Sequence, residues 1–211
     1  MSFKNRVFGC VVVKSINSNY NADFSHQPRT LPDGTVYATD KALKYAIKNY
    51  LKDMYNDEKI FYFKRFNEDF QPLRLEDAYN SMFKDRVKPT KSVVAKDLLS
   101  CLDVKFFGAT FAMKATGGDN IAISIHGPLQ INHGVNIWHE NNIFSEQIMS
   151  PFADKEGADA STLGRQSKLQ EGHYLHHFSI NPNNLKDILQ LAGEGTKSML
   201  KEDVYKIKDA M

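Results

Sequence analysis

The chain has 211 residues, 42% of them hydrophobic and 25% charged, with 27 Lys and Arg against 25 Asp and Glu for a net charge of +2. This composition excludes a disordered or fibrous chain and fits one domain with insertions or two small ones. Its two cysteines, Cys10 and Cys101, lie far apart without metal-ligand spacing, which excludes a disulfide framework and points to a reducing, cytoplasmic compartment.

No apolar run is long enough to span a membrane, and the first residues lead into a strand and not a signal peptide. Val7 to Lys14 is β-branched and apolar and reads as a central strand. Ser15 to Asp23 is rich in Asn and Ser, residues that bond their own backbone, and predicts a structured loop running on through Pro28, Arg29, Pro32, Asp33 and Gly34. Thr39 or Asp40 caps a helix to about Met54, with Leu43, Ala46, Ile47, Tyr50, Leu51 and Met54 at helical spacing. Lys41, Lys44, Lys48 and Lys52 fall on the opposite side as one stripe, either a solvated face or a track for phosphates.

Lys59 to Arg65 reads as a strand or extended segment. Leu73 to Lys84 and Ser92 to Leu102 read as helices of an inserted subdomain. Val104 to Ala115 predicts a strand, Thr116 to Asp119 a turn, and Asn120 to Ile131 its hairpin partner. Gly127 and Pro128 interrupt that partner and imply a bulge or a close approach of backbone to a ligand. Asn136 to Gly172 shows no sustained period, and so long a connection predicts a protruding arm that grips nucleic acid. His173 to Ile180 is another strand. A turn at Asn181 to Asn184 leads to a helix over Leu185 to Leu191, and an amphipathic helix follows at Lys201 to Met211. The order is that of an α+β, ferredoxin-like unit whose final strand is missing.

Few residues assemble into catalytic patterns. His173, His176 and His177 form the densest histidine cluster, but strand alternation separates His176 from the other two, and no metal site is expected. Gly193 to Ser198 lacks the spacing of a phosphate-binding loop. Asp23, Asp33 and Asp40 could help a metal cleave RNA, yet Asp33 in Pro-Asp-Gly is more simply a turn residue and Asp40 a cap. Arg165, Gln166 and Lys168 beside Gly164 suit phosphate contact on an arm or a solvated loop. Met149 and Phe152 are either wedges between bases or packing residues. Trp138 is read as packing.

Several stretches resemble a known family. They are Ser15 to Asp23, Ala38 to Lys44, Phe107-Gly108-Ala109-Thr110-Phe111, Ile125 to Gln130 and Ser161 to His177. Together they are similar to the Cas-seven family of CRISPR-associated backbone subunits, closest to the Csh type of type I-B Cascade, within the RAMP superfamily. The resemblance implies an RRM-like palm (1–56 and 103–211), a helical finger insertion (57–102) and a thumb loop (136–172). It implies copies stacked head to tail along CRISPR RNA (crRNA), each thumb displacing a base while the remaining bases pair with target DNA. Partners would be crRNA, further copies of the chain, a Cas-five-type subunit and the large and small subunits of Cascade, with no membrane and no cofactor. Phosphate contacts would come from Asn17, Asn19, Arg29, Thr39, Lys41, Lys44 and Lys48, joined by Gln130 and His173 from the resembling runs. Family members continue past this chain's last residue, where the final palm strand is expected. The alternatives are an RNA-cleaving type III-like subunit using Asp33 and a stand-alone RRM-like module.

Overall fold

The computed structural model describes residues 1–114, 120–149 and 163–211, with the side chain of residue 163 left aside. It divides into two compact units: residues 1–8, 44–130 and 179–211 form the first, and residues 9–43 and 131–178 the second.

The second unit is built on a sheet. β1 (Val7–Ser18), β8 (Leu163–Ile180), β6 (Gly134–Asn136) and β2 (Tyr37–Ala38) lie side by side in that order. β2 runs antiparallel to β6, and β6 antiparallel to β8. β7 (Ile143–Met149) pairs antiparallel with the first half of β8, Ile143 opposite Leu169 and Met149 opposite Leu163. Val36, Ala38, Leu169 and Tyr174 are buried as its core, with Val13 and Tyr20 packed against them.

The arm therefore differs from the sequence reading, which found no strand period between Asn136 and Gly172. Its polar ladder has a cause. Ser167 is buried, and its Oγ lies 2.7 Å from Ser145 Oγ across the ladder. Burial then changes phase along β8: Ser167 and Leu169 are buried, then Gly172, Tyr174 and His176. Two residues of slip at Gln170 and Glu171 break the alternation on which a strand reading depends. β1 likewise runs four residues past the expected Lys14.

The first unit holds the helices: most of α1 (Asp40–Met54), then α2 (Leu75–Met82), α3 (Lys91–Leu99), α4 (Leu102–Phe107), α5 (Lys186–Ala192) and α6 (Lys201–Asp209). A 3₁₀ turn at Pro182–Leu185 precedes α5. β3 (Gly108–Met113) and β4 (Ile121–His126) form an antiparallel pair. The core packs Phe61, Tyr79, Val94, Leu98, Val104 and Phe111. The strand expected from Val104 thus begins as a helix and turns to strand only at Gly108, at φ +78. The apolar run Val104 to Phe107 is buried on all sides, where periodicity does not separate helix from strand. The interruption at Gly127 is real, but its close approach is to backbone: a Cβ there would meet Phe107 C at 2.2 Å. β5 (Leu129–Ile131) follows it and pairs with β8. Lys59 to Arg65 forms no strand. It is held by Asp103, which accepts from the amides of Phe61 and Tyr62 at 2.8 Å each. The fold is α+β with antiparallel sheets, as the sequence predicts.

Candidate nucleic-acid interface

Ten of the residues singled out from the sequence are described in the second unit, and three in the first. The loop after β1 is built by its own side chains. Asn21 Oδ1 accepts from both the amide and the hydroxyl of Thr39 at 2.9 Å, fixing the chain at the start of α1. Asn17 is exposed with φ +47, a left-handed conformation that asparagine tolerates. Asn19 Nδ2 donates to His26 O at 3.3 Å. Two atoms of this loop, Asn19 Oδ1 and Arg29 Nε, are buried without a hydrogen-bond partner. Such groups cost free energy when left unpaired, so they mark places where a ligand or solvent completes the site.

The loop is tied to the arm. Gln27 Nε2 donates to Ser167 Oγ at 2.6 Å. Val36 N donates to Asn141 Oδ1 at 3.1 Å, and Asn136 Nδ2 donates to the same oxygen at 3.0 Å. Asn136 Oδ1 in turn accepts from Trp138 N and His173 N. Asn21, Asn136 and Asn141 thus organise the surface. Sequence reading saw an asparagine-rich loop and did not single out these three.

On the arm, Arg165 and Gln166 are exposed. Lys168 is committed to Glu146, Nζ to Oε2 2.5 Å. Met149 is 65% exposed at the end of β7. Phe152 lies outside the described residues. His173 Nε2 is 2.9 Å from Glu171 Oε1, and its ring lies 4.8 Å from that of Trp138. The bond from His173, and then the one from Lys14, hold the Glu171 carboxyl below its ordinary pKa. Glu171 is the carboxylate that the reading of the histidine cluster overlooked. It pairs with His173 only, and among the described residues no three His, Cys, Asp or Glu converge on a metal site.

His176 faces the other way and is fully buried. Its Nδ1 donates to Asn132 O at 3.0 Å, leaving Nε2 to face the Tyr20 hydroxyl at 3.5 Å. Burial lowers its pKa and raises that of Tyr20 to about 12.

The lysine stripe of α1 is corrected. Lys41 is exposed, in the second unit. Lys44 Nζ lies 5.4 Å from the centre of the Phe107 ring, and Lys52 Nζ 4.8 Å from that of Phe63. Lys48 Nζ donates to Tyr62 O at 2.6 Å, and burial lowers its pKa. Lys44 to Lys52 therefore runs along aromatic side chains and not as an open phosphate track. The helix pattern locates the stripe, but what packs on it is set by residues far along the chain. Gln130 Nε2 donates to Gly127 O at 2.7 Å and supports the chain break there.

A sheet-based unit with a two-stranded arm, joined through a side-chain-ordered loop to a helical unit, defines an α+β protein with one broad polar surface and no deep catalytic cleft in its described part. The chain belongs to the CRISPR-associated protein Cas7 family, whose model matches residues 5–211. No curated protein sequence matches it. Among solved structures it is similar to a chain of a "CRISPR RNA-guided surveillance complex, pre-nicking". The TM-score is 0.57 at 10% identity, over 98% of this chain and 71% of that one. A chain of a second "CRISPR RNA-guided surveillance complex" aligns with a TM-score of 0.47 at 12% identity, over 96% and 59%. Among the described residues no helix is long and apolar enough to cross a membrane.

Proposed function

We propose that this chain is a non-catalytic, crRNA-binding backbone subunit of a type I surveillance complex of the Csh type, type I-B, serving antiviral defence. Copies stack head to tail along the crRNA, alongside a Cas-five-type subunit and the large and small subunits, and present the guide for pairing with target DNA. Residues 1–56 and 103–211 act as palm, 57–102 as fingers and 136–172 as thumb. The observation that carries this reading is the hydrogen-bonded union of the Asn17–Val36 loop with an arm that exposes Arg165 and Gln166. Such a surface holds RNA by backbone and shape and leaves sequence to base pairing. The contacts are assigned to Asn17, Asn19, Arg29, Thr39, Lys41, Arg165 and Gln166, with Met149 beside the displaced base.

The type III-like alternative needs Asp33 as a catalytic group. Asp33 Oδ1 accepts from Thr35 N at 2.9 Å, and that bond holds its pKa below the ordinary value. This suits a turn anchor better than a base. Sedimentation of the purified chain with single-stranded RNAs of increasing length tests the scaffold: the number of bound copies should rise stepwise with length. A chain that stays monomeric on every RNA, or has no affinity at low salt, overturns it. Incubation of the RNA-loaded chain with complementary RNA and magnesium tests the alternative. Intact RNA supports the scaffold, and periodic cleavage lost on Asp33→Ala supports the enzyme.

A further inference from the structure

The turn at Asp23–Gln27 carries the most exposed large apolar side chain among the described residues, Phe24, at 98%. The turn is rigid. Asp23 Oδ1 accepts from Ser25 N at 2.8 Å and Gln27 N at 2.9 Å. Asp23 N donates to Gln27 O at 2.8 Å, His26 N donates to Asp23 O at 3.2 Å, and Ala22 and Pro28 close it as a bridge pair. His26 sits at φ +62, a conformation that surrounding bonds must impose. The base of the turn is anchored on the arm through Gln27 and Ser167.

A phenylalanine held clear of its own protein on so fixed a support has lost the freedom that would let it fold back onto the surface. Beside it lie one unpaired acceptor, Asn19 Oδ1, and one unpaired donor, Arg29 Nε, and Asn19 holds the turn itself through His26 O. An apolar ring flanked by both a donor and an acceptor matches an unpaired nucleobase, which offers a flat π-face and an edge of mixed polarity.

We infer that Phe24 is a stacking platform for one unpaired base of the bound RNA, with Asn19 and Arg29 closing on the edge or ribose of that nucleotide. The inference rests on the RNA-binding reading above and adds a base contact where that reading has only backbone contacts. It also provides an internal comparison. Asn67 to Gln71 repeats the same turn: Asn67 Oδ1 accepts from Asp69 N and Gln71 N, and Phe66 pairs with Pro72. It places Phe70, 85% exposed at φ +58, in the first unit.

Affinities of the wild type, Phe24→Ala, Phe24→Tyr and Phe70→Ala for a single-stranded RNA oligonucleotide and for inorganic polyphosphate test it. Phe24→Ala should weaken RNA binding by about 5- to 100-fold, the range for loss of one base–aromatic stack. Phe24→Tyr should restore it, Phe70→Ala should leave it unchanged, and polyphosphate binding should be the same in all four. An exposed side chain leaves the thermal unfolding of Phe24→Ala unaltered, so a fold defect is separable. RNA affinity unchanged in Phe24→Ala overturns the inference. So does an equal loss for polyphosphate, an equal loss in Phe70→Ala, or a change confined to self-association, which would make Phe24 a protein contact. Failure of the wild type to bind RNA sinks the RNA-binding reading itself, a result distinct from all of these.

Discussion

His176 shows how one side chain organises a sheet that must stay polar on its outer face. Its Nδ1 donates to Asn132 O, its ring packs where a Cβ on Gly134 would come within 2.2 Å of Nε2, and the neutral ring is the form that burial favours. Because the folded pKa lies below the ordinary value of about 6.5, the unfolded chain binds the extra proton more readily. The stabilising contribution is therefore present above about pH 6.5 and is lost as pH falls through that value toward the folded pKa. Urea midpoints measured from pH 7.5 down to 5.5 should fall, and His176→Gln should flatten the dependence while lowering stability throughout. An unchanged slope in the variant would place the titration elsewhere. That histidines of β8 divide between two faces is legible in the sequence. That Glu171 rather than a metal meets His173 is not, because the slip at Gln170 and Glu171 sets which side chains share a face.

At the scale of elements, the break between β4 and β5 depends on backbone meeting backbone. A Cβ at Gly127 would lie 2.2 Å from Phe107 C and 2.3 Å from Gly108 N, neither of which can swing aside. Gly127→Ala should cost several kcal/mol, about 2–4 by the scale of overpacked cores, read as a drop in the unfolding midpoint. Gly34→Ala is a useful contrast: at φ +86 with nothing within 4 Å of its Cβ, it carries only conformational strain of about 1 kcal/mol. A Gly-Pro pair inside a strand pattern announces an interruption, but the partner it makes room for comes from 20 residues earlier. The arm is the opposite case. Its existence as an ordered ribbon was hidden because a two-stranded ladder with Ser145 and Ser167 buried against each other, and Gln27 against Ser167, has no apolar alternation to read.

For the whole molecule, a net charge of +2 does not make a polyanion binder. If binding is to RNA, the arm and loop supply it locally, through Arg29, Lys41 and Arg165. The logarithm of RNA affinity should then fall linearly with the logarithm of salt concentration, with a slope of about −0.7 for each single-strand phosphate contact. Arg165→Gln should reduce that slope by about one contact, whereas Lys48→Gln should leave it unchanged, since its ammonium is already spent on Tyr62 O. Loss of slope in Lys48→Gln with none in Arg165→Gln would reverse the assignment of the interface.

The sequence by itself determined the α+β class, the helix from Asp40 to Met54, the β3–β4 hairpin and the family, because local periodicity, turn residues and motif identity survive without knowledge of neighbours. It also located the loop and the arm as functional segments. Only the tertiary structure decided which residues on them are available. Lys44, Lys48, Lys52 and Lys168 are engaged by Phe107, Tyr62, Phe63 and Glu146, while Phe24, Arg165 and Gln166 are left exposed. Whether a side chain is spent inside the fold or offered outward depends on residues distant in the chain, and no local pattern carries that information.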